Sequence, residues 1–188
     1  KASSPRAAPQ ATSAAAGPDV DLLPLVRVAA PTDSPPWTRD ASGVLMKNGP
    51  FARTIVDFAP PEEYEVRADV VPISGKRSFI MGLSRGGKRF WIAVSGWERA
   101  LTKIEPPPTL GGGTTESTAF QLEANKPASL VFTVRRDRVS MTADGKTLID
   151  WHGDSTTLSE WGYWRLPEPG KLAIGSWVGD MRVTRLEL

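Results

Sequence analysis

Residues 128–151 read ASLVFTVRRDRVSMTADGKTLIDW, three short runs of β-branched and apolar residues separated by two reversals. Val131 to Val134, Val139 to Ala143 and Thr147 to Trp151 predict strands, with turns at Arg136-Asp137 and Asp144-Gly145. Asp-Gly is the stronger turn signal. A type I′ reversal needs positive φ at both central residues, which Gly adopts freely and Asp tolerates. This reading sets Thr142 opposite Lys146 and makes the stretch an antiparallel meander with Phe132, Val134, Val139 and Met141 in the core.

The same signals continue on both sides. In EEYEVRADVVPI (residues 62–73) alternation puts Tyr64, Val66, Ala68 and Val70 on one face and Glu65, Arg67 and Asp69 on the other. Ser78 to Ser84 and Arg89 to Ser95 flank Arg85-Gly86-Gly87-Lys88 as a hairpin. Upstream, Gly43 to Lys47 and Ala52 to Phe58 flank Asn48-Gly49-Pro50, and downstream Lys171 to Trp177 and Met181 to Leu188 flank Gly179-Asp180. Between Trp97 and Glu123, three prolines (Pro106 to Pro108) and three glycines (Gly111 to Gly113) predict a long exposed loop. Ser155 to Gly170 carries the aromatic cluster Trp161, Tyr163 and Trp164. With no amphipathic helix and no internal repeat, roughly ten to thirteen short strands predict an all-β sandwich.

Residues 1–18, KASSPRAAPQATSAAAGP, have almost nothing to bury and read as a flexible Ala/Pro/Ser linker. DVDLLPLVRVAA (residues 19–30) follows as an edge strand or an extended packing arm, since Pro24 interrupts any helix, and opens a β-sandwich domain spanning 19–188. The absence of cysteine removes disulfides, thiolate metal sites and cysteine nucleophiles, while a single histidine, His152, excludes multi-histidine zinc sites. No apolar run is long enough to span a bilayer, so no membrane insertion is expected of the chain itself. Because it begins at Lys1, any signal peptide or anchor is expected to lie outside it. A net charge of +2 is too small to argue for nucleic acid without a concentrated patch. The basic turns Lys76-Arg77, Arg85 to Arg89 and Arg135 to Arg138 lack interleaved stacking aromatics, so no nucleic-acid partner is expected.

The order of an early Trp37 with Gly43-Val44-Leu45, the EYEVRADV strand, a hairpin, DGKTLIDWHGD (residues 144–154) and a terminal GKLAIGSWVGDMRVTRLEL resembles the concanavalin A-like lectin/glucanase superfamily, in its laminin G-like and 3-keto-disaccharide hydrolase-like branch. The resemblance covers residues 37–188. It implies a jelly-roll β-sandwich of two antiparallel sheets, one of them concave and ligand-binding, in a secreted or cell-surface bacterial setting. In the hydrolases of that branch, the strands matching Phe90 to Ser95 and Ala173 to Trp177 present acids, amides or histidine to the cleft. Here they offer Trp91, Ala93, Ser95, Gly175 and Trp177, with no carboxylate among them.

Glycoside hydrolysis needs two carboxylates across a cleft. Glu65 and Asp69 stand too far apart along one extended strand, and Asp150, His152 and Asp154 form the sole neighbourhood of acids and imidazole. An acid-base or metal role for those three competes with a strand-end turn in which aspartates bond backbone amides. Exposed Trp faces stack on the apolar face of a sugar ring, which nominates Trp91, Trp97 and Trp177. Joined to polar neighbours on the strands, the expected ligand-binding set is Arg67, Asp69, Trp91, Ser95, Trp97 and Trp177, with no catalytic residue, metal or cofactor. The leading expectation is a non-catalytic extracytoplasmic module that binds carbohydrate or a protein partner on its concave face. A glycoside or 3-keto-glycoside hydrolase is the alternative, and a structural subunit held in a larger assembly by its N-terminal segment is a third.

Overall fold

The computed structural model describes residues 19–29, 37–47, 49, 51–74, 78–96, 100–177 and 179–188. The expected linker, residues 1–18, lies outside them. Two antiparallel sheets form a jelly-roll sandwich. The larger runs in the order β1 (Thr38–Asp40), β2 (Gly43–Met46), β14 (Met181–Glu187), β4 (Tyr64–Pro72), β10 (Ala128–Val134), β11 (Arg138–Ala143), β12 (Lys146–His152) and β8 (Gly112–Thr114). The smaller runs β3 (Ala52–Ile55), β13 (Ala173–Ser176), β5 (Phe79–Arg85), β6 (Lys88–Gly96), β7 (Leu101–Glu105) and β9 (Glu116–Ser117).

Alternation explains how the sheets meet. On β4, Tyr64, Val66, Ala68 and Val70 are buried, while Arg67 is exposed and Glu65 and Asp69 are half-buried. Phe132, Val134, Val139 and Met141 of the meander are fully buried as expected, and the Phe132 ring meets Phe79 of the facing sheet at 6.4 Å. Tyr64 pins the layers together: its hydroxyl donates to Ser84 O and accepts from Ser84 N–H, both at 2.8 Å. Burial pushes that phenol well above its ordinary pKa, so it remains a neutral donor.

Two expectations are corrected. Asp144 and Gly145 take positive φ (47° and 78°) as the turn requires, but the pairs are Ala143 with Lys146 and Thr142 with Thr147, not Thr142 with Lys146. A two-residue turn pairs its immediate flanks, and the register then shifts between Met141 and Thr142. The stretch read as a long loop instead contains β7, β8 and β9, and β7 pairs with β6 along most of its length. Half-buried Leu101 and Lys103 alternate with buried Thr102 and Ile104, a strand pattern masked by the prolines that follow.

The arm docks on its own domain. Leu22 N–H donates to Leu186 O (2.8 Å) at the end of β14, and Arg27 N–H donates to Ile55 O (3.0 Å) at the end of β3, so residues 20–27 strap one sheet to the other. Leu22 and Val26 are buried against the common core. Pro24 sits in a single 3-10 turn, Leu23–Leu25.

Candidate functional site

The outer face of the smaller sheet is built by cross-strand register. One row runs Ile55, Ala173, Gly82, Trp91, Glu105 across β3, β13, β5, β6 and β7, and the next runs Arg53, Gly175, Ile80, Ala93, Lys103. Gly82 makes room for the indole beside it: a Cβ there would stand 3.0 Å from Trp91 Cζ3 and 2.9 Å from Ala173 Cβ. This face is not open. Residues 160–168 cross it as a strap, carrying the 3-10 turn Gly162–Trp164. Trp164 packs on Trp91 with ring centroids 5.7 Å apart, and Trp91 is 0% exposed.

Beneath the strap lies a set of enclosed charges. Glu105 is buried on β7 and accepts a hydrogen bond from Trp164 Nε1 at 2.7 Å while pairing with Lys103 at 3.1 Å. Arg89, also buried, donates to Lys171 O (3.0 Å) and Glu168 O (2.5 Å) and faces Glu160 at 3.5 Å. Desolvation pulls the Arg89 guanidinium below the usual arginine value, opposed by the Glu160 carboxylate. Its head lies 5.9 Å from the Trp91 ring centroid, within cation–π range.

On the outside of the strap the aromatics form one continuous patch. Phe51 stacks on Tyr163 (5.6 Å, 12°) and meets Trp177 edge-on at 4.2 Å, and Trp161 meets Tyr163 edge-on at 5.6 Å. Trp161 is 43% exposed and Tyr163 62%. Trp177 is half-buried and is held by Ser78, whose hydroxyl donates to its carbonyl and accepts from its N–H, both at 2.9 Å. A narrow, mostly apolar niche with room for about one water lies beside Trp177 and Trp164 over Ser78, Ile80, Ala93 and Glu105.

The six residues expected to bind ligand are not gathered on one surface. Trp91 and Trp177 belong to this face, Trp91 as its hidden floor and Trp177 at the rim of the niche. Ser95 is buried at the register break of β6, where its N–H donates to Thr102 Oγ1 (3.1 Å) and its Oγ accepts from Leu122 N–H (3.0 Å). Arg67 and Asp69 stand on the far side of the sandwich, because β4 pairs with β10 and β14 in the larger sheet. There Arg67 pairs with Glu65 at 3.0 Å, and Asp69 lies 4.0 Å from Arg185. Trp97 lies outside the described residues.

The acid and imidazole neighbourhood also sits on the larger sheet. Arg138 holds Asp150 at 2.6 Å and His152 approaches the same oxygen at 3.3 Å, which lowers the Asp150 pKa, chiefly through the arginine. Asp154 accepts from Thr156 N–H at 3.0 Å, the turn-capping role weighed against catalysis. Among the described residues, no group of three or more His, Cys, Asp or Glu side chains is placed to hold a metal ion. Sequence reading places Arg89 in an exposed basic turn, whereas it is buried, and passes over Glu105, Glu160 and the strap's part in the site. The available signal was the Trp161, Tyr163 and Trp164 cluster followed closely by prolines, a short aromatic segment that must lie across some surface.

No family model matches the chain. It is 23% identical over 133 residues to an extracellular exo-alpha-L-arabinofuranosidase of Streptomyces chartreusis; the match covers 64% of this chain and 16% of the enzyme. Among solved structures it is similar to the carbohydrate-binding module CBM66 from Bacillus subtilis (TM-score 0.54, 11% identity, 80% of this chain and 88% of that one). It is also similar to a protein named as a candidate glycosyl hydrolase from Parabacteroides distasonis (TM-score 0.56, 8% identity, 91% and 98%). These likenesses establish the β-sandwich fold.

Proposed function

We propose that the domain is a carbohydrate-binding module of a secreted or envelope-associated bacterial protein and that it holds glycan on the outer face of the smaller sheet. The observation that carries this reading is the continuous aromatic patch of Phe51, Trp161, Tyr163 and Trp177 on that face. Rings kept partly in water forgo burial that a folded chain otherwise exploits, and a cluster of them on one face marks a contact surface. Flat indole and phenol faces suit the apolar face of a pyranose or furanose, and the indole N–H and phenol O–H suit its hydroxyls. The outer face of the larger sheet is instead laced with ion pairs such as Arg67 with Glu65 and Arg138 with Asp150. An extracellular arabinose-releasing enzyme and a carbohydrate-binding module among the similar proteins support the same class of ligand and an extracytoplasmic setting.

The test is retention on arabinan, arabinoxylan, β-glucan and peptidoglycan, comparing wild type with Trp161→Ala, Tyr163→Ala and Trp177→Ala. At least one polysaccharide should retain the wild type, and each variant should weaken retention about tenfold or more, the loss of roughly one stacking contact. Arg67→Ala and Asp69→Ala, on the opposite sheet, should leave it unchanged. Retention by none of the four overturns the reading, and release of reducing sugar by the wild type would place the domain among hydrolases.

A further inference from the structure

The strap has little internal structure of its own. Its single 3-10 turn supplies one hydrogen bond from Trp164 N–H to Trp161 O and one from Arg165 N–H to Gly162 O, so its course is set by what it is tied to. Three ties come from the sheet below. Arg89 reaches its C-terminal part, bonding Glu168 O and Lys171 O with Leu166 O and Pro167 O at 3.5 and 3.4 Å, while its charge faces Glu160 at the other end. Glu105 takes the Trp164 indole N–H in the middle. Arg53 donates to Arg165 O at 3.1 Å.

A buried guanidinium is costly to desolvate and persists where its donors are satisfied. The fork of five N–H groups is the side chain best suited to gathering several carbonyls at once, and lysine cannot reproduce it. We propose that Arg89 and Glu105 are positioning residues for the aromatic face: both enclosed, they fix the strap so that Trp161 and Tyr163 stand beside Trp177 before ligand arrives. This rests on the carbohydrate-binding reading and extends it from the rings to the groups that hold them. Ordering the strap in the free protein removes that ordering cost from binding.

Arg89→Lys keeps the charge opposite Glu160 and gives up the fork. Glu105→Gln keeps an oxygen for the Trp164 indole, and Trp164→Phe keeps a ring and removes the N–H. Retention on the four polysaccharides above is measured together with the far-ultraviolet exciton couplet expected of the close, tilted Trp91 and Trp164 indoles. Arg89→Lys should weaken retention about tenfold and diminish the couplet while unfolding stays cooperative. Trp164→Phe should weaken retention likewise, and it serves as the test if Arg89→Lys does not fold. Glu105→Ala, which removes the acceptor of the Trp164 indole, should diminish the couplet and weaken retention about tenfold, and Glu105→Gln should restore both to within about threefold of wild type; an unchanged couplet in Glu105→Ala overturns the role of Glu105. Weakened retention in Arg89→Lys with the couplet intact, or a lost couplet with retention unchanged, overturns the positioning role. A wild type held by none of the polysaccharides instead overturns the carbohydrate reading and the ligand half of this proposal, whereas an unchanged couplet in Arg89→Lys overturns the strap half by itself.

Discussion

Replacing Trp91 by alanine removes an indole enclosed between β5, β13 and Trp164, at a place where the surroundings cannot close in. Gly82 beside it has no side chain to move into the gap, and Ala173 has only a methyl. Large-to-small changes of this kind cost about 3–5 kcal/mol, and poor collapse places this one near 4 kcal/mol. For a domain of this size each kcal/mol lowers the melting temperature by about 2–4 °C, so Trp91→Ala should melt about 8–16 °C below wild type. Tyr163 is 62% exposed, and its ring meets Phe51 and Trp161, each at 5.6 Å. At so exposed a site the two contacts together are worth about 1 kcal/mol, the low end for each, or about 2–4 °C. Differential scanning calorimetry on both variants, run with polysaccharide retention, separates the roles: Trp91→Ala loses stability first, and Tyr163→Ala loses retention with little change in melting. A Trp91→Ala variant melting within about 3 °C of wild type would refute the placement of that ring beneath the strap.

Acid should loosen the contact between arm and strap. Asp57 is held well below the ordinary carboxylate range by hydrogen bonds from Arg27 and then Lys171, and Glu168 is lowered by the same two cations. A carboxylate with a depressed folded pKa contributes stability that is present above its unfolded value and lost as pH falls through the folded one. Melting temperature should therefore hold from about pH 7 to 5 and decline steadily below about pH 4. Asp57→Asn should flatten part of that decline, and about 1 M salt should do the same to the wild type because these pairs are solvent-exposed; a wild-type profile flat to about pH 2 contradicts the assignment. Gly43→Ala should cost more than about 2 kcal/mol of stability, read as a lower denaturant midpoint, since φ is +117° and the new Cβ would lie 2.1 Å from the Val183 carbonyl oxygen on the neighbouring strand. An unshifted midpoint would show that the β2 and β14 backbones can part there.

Local pattern and long-range pairing differ in how far residues alone reveal them. The alternation of Tyr64 to Val70 and the Asp144-Gly145 turn are carried by neighbours in sequence, so their faces and reversals could be read directly. The partner sheet of each strand could not. Arg67 and Trp91 both lie on strands with a clear outward face, yet the pairing of β4 with β10 and β14 sends one to the opposite side of the sandwich from the other. Glu105 escaped notice because an acid followed by three prolines has the composition of a loop, whereas its burial depends on β6 pairing beside it and on an indole arriving from 59 residues downstream. Trp91 stands on the outer face of its strand, yet it is wholly buried. What covers it is decided by the strap.

The backbone of Val20 and Leu188 is joined by two reciprocal hydrogen bonds, at 3.3 and 3.1 Å. Topologically the domain is thus a nearly closed ring, with its arm and its last strand meeting at one seam. Joining Leu188 to Val20 through a short glycine and serine link, and opening the chain at an exposed turn, should give a circular permutant that reaches the same sandwich. The arm and β14 meet at that one seam, so a chain that enters at Val20 and one that leaves at Leu188 do so at neighbouring points.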